Sequence, residues 1–147
     1  MTENELFGVT PKKHISHKGL VASATKLIPQ NSIAIITRVG VGKLALMPFS
    51  YTTSQDFLSL SKLKIDECFA VYSLHKKMQG ALNFLQGTSI KGITKEELLA
   101  KTIMVPFRTE QQKIGQFFAN IDNLITLHQQ KLAVFLNWQK GLFRRAS

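Results

Sequence analysis

The chain of 147 residues carries 19 Lys and Arg against 9 Asp and Glu, which gives a formal charge of +10 at pH 7. Hydrophobic residues make up 44% of it, which indicates a folded domain with a real core, and the charge favours a polyanionic partner such as nucleic acid over an incidental surplus of surface bases. A single cysteine excludes a disulfide framework and a cysteine-rich zinc site, and no apolar run approaches the roughly 20 residues that span a bilayer.

The start of the chain is polar. Met1–Lys13 has two acids near its beginning and no apolar centre, so we expect no signal peptide and a cytoplasmic protein. We divide the chain into a loosely ordered or truncated start over residues 1–25, a small globular part over residues 26–106 and a long helix over residues 107–147.

A β-hairpin is predicted after the first polar turn. Ile33–Ile36 is fully apolar, as expected of a buried strand, and Leu44–Met47 resumes the apolar pattern after a tip that contains glycines. Tyr51–Thr53 and Phe57–Leu60 are expected to form further short strands.

Helical patterns begin in the second half of the globular part. Asp66–Met78 has apolar residues at helical spacing, and Thr94 with Glu97 forms a capping box that opens a short helix. Thr102–Pro106 predicts one more strand. The fold class is therefore α+β: a small mixed domain of short strands and helices followed by one long C-terminal coiled-coil helix.

The long helix is predicted from Glu110 to about Arg145, opened by a second capping box at Thr109–Gln112. It contains no proline, and about 36 residues at 1.5 Å each extend about 54 Å, further than a domain of this size. Part of the helix therefore leaves the domain, and its apolar stripe needs a partner helix. The stripe consists of Ile114, Phe118, Ile121, Ile125, His128, Leu132 and Phe135. For His128, we favour a structural histidine, buried or at the edge of the interface with its hydrogen bonds made, over a pH-sensitive or register-setting residue.

No catalytic constellation emerges from the motifs. Gly40–Lys43 resembles part of a phosphate-binding loop. The motif requires a glycine at position 37 and a Ser or Thr at position 44, but this chain has Thr37 and Leu44 there. His14 and His17 are better explained as a surface pair than as metal ligands.

A nucleophile and its base are not found either. Cys68 and His75 lie two helical turns apart, too far for direct contact. We expect a non-enzyme without metal or cofactor.

Two segments are candidates for DNA contact. In the hairpin, glycines allow close backbone approach to phosphate and basic residues flank them; the residues are Thr37, Arg38, Gly40, Gly42 and Lys43. An ordinary tight hairpin with solvated bases explains this loop equally well. The second segment, Gln86–Ile93, contributes Thr88, Ser89 and Lys91, and a simple connector is an equal alternative there.

These pieces together resemble the DNA-specificity subunit of type I restriction–modification enzymes. The resemblance covers about Lys26 to Phe143 and rests on the order of four segments. They are Leu27–Ile33, Arg38–Lys43, Gln86–Ile93 and the helix that runs from Val105-Pro106 through Glu110–Ile114 and Ile121–Ile125 to Lys140–Leu142.

The resemblance implies recognition of double-stranded DNA rather than catalysis. Such subunits carry target-recognition domains that each read half of a split site, and long helices that pair and dock DNA adenine-methyltransferase subunits, which restriction subunits join. By this resemblance Arg38, Lys43, Thr88, Ser89 and Lys91 face DNA, and the stripe on the long helix packs the helix pair.

The chain departs from that family in two respects. We expect one recognition domain and one long helix, with the family's leading segment missing before His14, and Val39 is inserted where the family has Arg-Gly. We therefore expect either a half-subunit that forms a homodimer through its helix, or a fragment that does not read DNA and pairs with a full specificity subunit or a methyltransferase.

Overall fold

The computed structural model describes residues 6–7, 9–11, 14–23, 25–38, 42–84 and 93–146. It confirms the α+β class. The elements in chain order are α1 His17–Ala22, β1 Ser32–Ile36, β2 Leu44–Met47, β3 Phe57–Leu60, α2 Glu67–Phe84, α3 Lys95–Leu99 and α4 Arg108–Ala146.

The described strands form one antiparallel sheet in the order β2-β1-β3, so the predicted hairpin is confirmed as β1 and β2. The register places Ala34 of β1 opposite Ala45 of β2 and Ser59 of β3. Because side chains alternate along a strand, these three residues share one face of the sheet, and Ile33 and Ile35 share the other.

The core lies on the face that carries Ile33 and Ile35. Both side chains are fully buried, together with Leu44, and they pack with apolar residues of α2. The buried cluster comprises Leu6, Ile33, Ile35, Leu44, Ala70, Val71, Met78, Ile93 and Leu98. Leu6 belongs to the start that was expected to be loosely ordered, yet it is buried and its carbonyl accepts from the backbone N–H of Leu46 at 2.8 Å.

Two predicted strands are wrong. Tyr51 forms only an isolated bridge with Ile28, and residues 52–53 continue without regular structure. Thr102–Pro106 is an irregular connection into α4, and Met104 within it is 94% exposed. An apolar β-branched run suits a strand, but it forms one only where a neighbouring strand supplies hydrogen bonds.

The two predicted capping boxes have different outcomes. At Thr94 the box is confirmed, since its hydroxyl accepts from Glu97 N–H at 3.1 Å while the Glu97 carboxylate accepts from Thr94 N–H at 2.8 Å. The hydrogen bond from the Thr94 N–H, followed by one from the Thr94 side chain, stabilises the carboxylate and lowers the pKa of Glu97. At Thr109 the box is wrong, because α4 already begins at Arg108 and Thr109 lies inside it. The short helix α1, opened by Ser16, was not predicted.

Candidate nucleic-acid interface and helical partner surface

The hairpin tip is closed by backbone hydrogen bonds next to its last glycine. Gly42 N–H donates to the Ile36 carbonyl at 3.1 Å, and Ile36 N–H donates to the Lys43 carbonyl at 2.9 Å. Gly42 has a φ of 84°, which lies in the left-handed region that residues other than glycine rarely adopt. The glycine therefore serves the turn, while Gly40 lies outside the described residues.

Thr37, at the base of the hairpin, is 9% exposed. Its backbone N–H and its hydroxyl both donate to the carbonyl of Asp56, each over 2.9 Å. Its own carbonyl accepts from Ile93 N–H at 3.0 Å. These bonds join the hairpin to the residue before β3 and to the end of the second candidate segment.

The two basic side chains of the hairpin are both exposed. The Arg38 guanidinium lies 3.4 Å from the Asp56 carboxylate, and the two side chains are 60% and 43% exposed. A pair this exposed contributes at most about 1 kcal/mol, so Arg38 can exchange Asp56 for another anion at low cost. Lys43 forms no ion pair with any residue that the structure describes.

The second candidate segment meets the hairpin at its end. Thr88, Ser89 and Lys91 lie outside the described residues. Ile93, the last residue of that segment, is buried beside Thr37 through the hydrogen bond given above. The last residue of the second candidate segment therefore lies at the base of the hairpin.

The first half of α4 is fixed to α2 by Gln111. Its side chain is buried, its carbonyl oxygen accepts from Asp66 N–H at 2.9 Å and its amide donates to the Pro106 carbonyl at 2.8 Å. One turn later, a Cβ placed on Gly115 would lie 2.9 Å from the Cys68 Cβ and 3.0 Å from the Phe69 nitrogen. Only glycine allows the two helices to approach this closely.

Tyr72 continues this contact with a polar and an aromatic interaction. Its hydroxyl donates to the carboxylate of Asp122, which is 9% exposed. Its ring lies 5.4 Å from that of Phe7 and 5.3 Å from that of Phe118, measured between centroids. We call Gln111, Gly115, Phe118 and Asp122, with their partners on α2, the α2–α4 clamp.

The stripe predicted for helix pairing is divided by this clamp. Phe118 contacts Tyr72 of its own domain, and Ile114 and Ile121 are half-buried beside it. Ile125, His128, Leu132 and Phe135 are exposed. The contacts of Gln111, Gly115 and Asp122 with α2 were not predicted. Together with Phe118 these residues have helical spacing of 4, 3 and 4 positions, but they are polar or small, and the helix face was predicted from apolar residues alone.

A comparison with protein families decides the relationship. The model of the type I restriction modification DNA specificity domain matches residues 2–135. The chain belongs to this family. The match includes the hairpin, both candidate segments and most of α4, and it confirms the resemblance drawn from the four motifs. A role in DNA recognition within a type I restriction–modification system follows, and the family is a specificity domain rather than a catalytic one.

In this specificity domain, the second half of α4 is apolar and exposed. Between Leu124 and Trp138 its exposed hydrophobic residues are Leu124, Ile125, Leu127, Leu132, Val134, Phe135, Leu136 and Trp138. Several of them line a shallow concavity of about 430 Å³ in which the rings of Phe135 and Trp138 lie 6.3 Å apart. An apolar surface this extensive is typical of a contact with another protein.

Cys68, the single cysteine of the chain, is half-buried on α2. Burial, followed by the nearby charges of Asp66 and Glu67, raises the pKa of the thiol, so it stays protonated at neutral pH. Among the described residues, no helix combines the length and the apolarity needed to cross a bilayer.

The Tyr72 hydroxyl offers a direct test of the clamp. Replacing Tyr72 with Phe leaves the buried Asp122 carboxylate without this donor, so we expect the free energy of unfolding to fall by about 2 kcal/mol. Tyr51→Phe is the matched control, because Tyr51 donates to the neutral hydroxyl of Ser59 at 3.0 Å and its loss is expected to cost about 1 kcal/mol. Urea unfolding followed by circular dichroism measures both. Equal losses of unfolding free energy in the two variants would show that the charge of the Asp122 carboxylate adds nothing to the strength of the Tyr72 hydrogen bond.

Proposed function

We propose that this specificity domain reads one half of a split DNA site through the β1–β2 hairpin and the adjoining segment, and that the exposed half of α4 docks a DNA adenine-methyltransferase subunit, which restriction subunits join. The observation that supports the DNA part is the hydrogen bond from Ile93 to Thr37, which joins the last residue of the second candidate segment to the base of the hairpin. Phosphate contacts supply most of the affinity of such an interface, and base contacts supply the specificity.

Within this interface, Arg38 and Lys43 are the side chains proposed to contact DNA. Both are exposed, and Arg38 has only a weak ion pair to give up. Arg38 has the fork geometry that matches a phosphate or the major-groove edge of guanine. Gly40, Thr88, Ser89 and Lys91 remain part of the proposal, whereas Thr37 is proposed to act by holding the two segments together.

Charge removal at the hairpin tests this interface. For Arg38→Ala with Lys43→Ala we expect duplex affinity to fall about 10-fold at low salt, and the slope of log affinity against log salt to decrease by about 1 to 2, since each lost phosphate contact removes about 0.9. The matched control is Lys64→Ala with Lys76→Ala, which removes the same charge from exposed positions elsewhere. Fluorescence anisotropy with a labelled duplex over a salt series measures both.

A second candidate function follows from the contacts at the base of the hairpin. The polar groups of Thr37 serve the fold and Arg38 is already paired with Asp56, an arrangement that also suits a module that does not read DNA. Such a module acts only by pairing α4 with a full specificity subunit or a methyltransferase. Equal affinity losses in the two double variants would favour it over DNA reading.

The exposed half of α4 also supports a homodimer. Two copies joined through identical helices would present two recognition domains related by a two-fold axis, and would read a palindromic split site. Light scattering coupled to gel filtration, on the chain alone and after addition of the methyltransferase subunit, tests both kinds of pairing. A chain that stays monomeric in both samples would overturn the docking role of α4.

A further inference from the structure

A cavity of about 800 Å³ lies on the face of the sheet opposite the core. Its floor includes Ala34 and Ala45, which face each other across β1 and β2. Because both side chains are small, this part of the sheet surface is recessed. Larger apolar residues form the surrounding walls, among them Leu20, Met47 and Phe57.

The walls of the cavity are held by defined contacts. Tyr51 is 9% exposed, bridges to Ile28 through two backbone hydrogen bonds and donates its hydroxyl to Ser59. On the opposite side, the Ser16 hydroxyl accepts from Gly19 N–H at 3.1 Å and opens α1, which carries Leu20. The cavity therefore belongs to the fold; it borders the core at Leu44, and its described lining contains no residue of the α2–α4 clamp.

Lys43 is the charged side chain among the described residues that line the cavity. Among the described lining residues, Lys43, His14 and His17 are the basic side chains, and none is a carboxylate. Asp56 precedes the lining residue Phe57 in the sequence, but its carboxylate is not part of the lining and forms an ion pair with Arg38. An anionic group is therefore favoured at the polar end of the cavity, near Lys43.

We propose that this cavity binds a small amphipathic organic anion, with its apolar body over Ala34 and Ala45 and its acidic group toward Lys43. A volume of about 800 Å³ lies within the range of cavities that enclose small organic ligands, which are mostly apolar with a few polar groups that fix orientation. The proposal shares Lys43 with the proposed DNA interface, but it does not require DNA reading, because the other lining residues lie on the outer face of the sheet and the test contains no DNA.

Decanoate is the probe, and 1-decanol is its neutral counterpart. We expect the methyl resonances of Ala34, Ala45 and Met47 to shift saturably when the full chain, labelled at alanine and methionine methyl groups, is titrated with decanoate. The methyl group of Ala133 on the exposed half of α4 reports binding at the other apolar surface. Decanoate is expected to bind at least 5-fold more tightly than 1-decanol. Shifts confined to Ala133, or no saturation, would overturn the proposal.

Two variants test the two ends of the ligand separately. Ala45→Leu fills the floor and is expected to weaken decanoate binding at least 10-fold, whereas Ala133→Leu makes the same change outside the cavity and leaves it unchanged. Lys43→Glu, at an exposed position that the fold does not need, is expected to weaken decanoate several-fold but not 1-decanol. Its result stands even if Ala45→Leu fails to fold, which circular dichroism reports. Wild-type decanoate affinity in a folded Ala45→Leu chain, or in Lys43→Glu, would contradict the proposal.

Discussion

Replacing Leu132 and Phe135 with Asp is expected to abolish association through α4, whether with the methyltransferase subunit or with a second copy. Both side chains are more than half exposed and make no contact with the domain core, so the domain itself should remain folded. Burying a carboxylate in an apolar helix interface leaves an unpaired charge. We expect affinity to fall at least 100-fold, as at other interface hot spots.

The measurement is gel filtration with light scattering, supported by titration calorimetry. Gln129→Asp with Asn137→Asp is the matched control, because it introduces the same two charges at polar, exposed positions of the same helix that do not line the concavity. Phe118 is unsuitable for this test, since it also contacts Tyr72 and its loss would damage the domain. Association that survives Leu132→Asp with Phe135→Asp would place the partner elsewhere on the protein.

The second large effect is expected at Gly115. A methyl group there would lie 2.9 Å from the Cys68 Cβ and 3.0 Å from a backbone nitrogen of α2, so Gly115→Ala must push the two helices apart. Overpacking of this kind costs about 1 to 3 kcal/mol, which outweighs the gain of about 1 kcal/mol that alanine brings to a helix interior. Gly115→Leu should lower the free energy of unfolding by about 3 kcal/mol or more.

Gly80 is the control for the same substitution. It lies inside α2, and a Cβ placed on it would meet nothing within 4 Å. Gly80→Ala is therefore expected to stabilise the protein by about 1 kcal/mol, opposite in sign to Gly115→Ala. Thermal and urea unfolding measure both. If Gly115→Ala stabilises the protein as Gly80→Ala is expected to do, the close approach of α2 and α4 at Gly115 does not matter for folding.

The features that the sequence predicted are those with a local pattern. The hairpin of β1 and β2 follows from two short apolar runs and the glycines between them, and α4 follows from an apolar stripe without proline. The box at Thr94 depends on a residue three positions away. The family relationship also followed, because it rests on the order of short motifs along the chain.

The features that were missed depend on contacts between distant residues. The hydrogen bond from the Thr37 hydroxyl to the Asp56 carbonyl, 19 positions later in the chain, was not predicted, while DNA contact by Thr37 stays a prediction. Gln111 bonds to Asp66 across 45 positions, and no local pattern identifies that pair. Thr102–Pro106 has the composition of a strand, but whether a neighbouring strand is present is decided by the whole fold.

The α2–α4 clamp and the length of α4 together determine how far the C-terminal end of the helix moves when the helix tilts. From Asp122, its last contact described above, to Ala146 the helix extends about 36 Å, so a tilt of about 5° at the clamp displaces the far end by about 3 Å. That displacement is close to the rise of about 3.4 Å from one base pair to the next. If two copies read the two halves of a split site as proposed, a loosened clamp would therefore vary the distance between the half-sites by about one base pair, without changing any residue proposed to contact DNA.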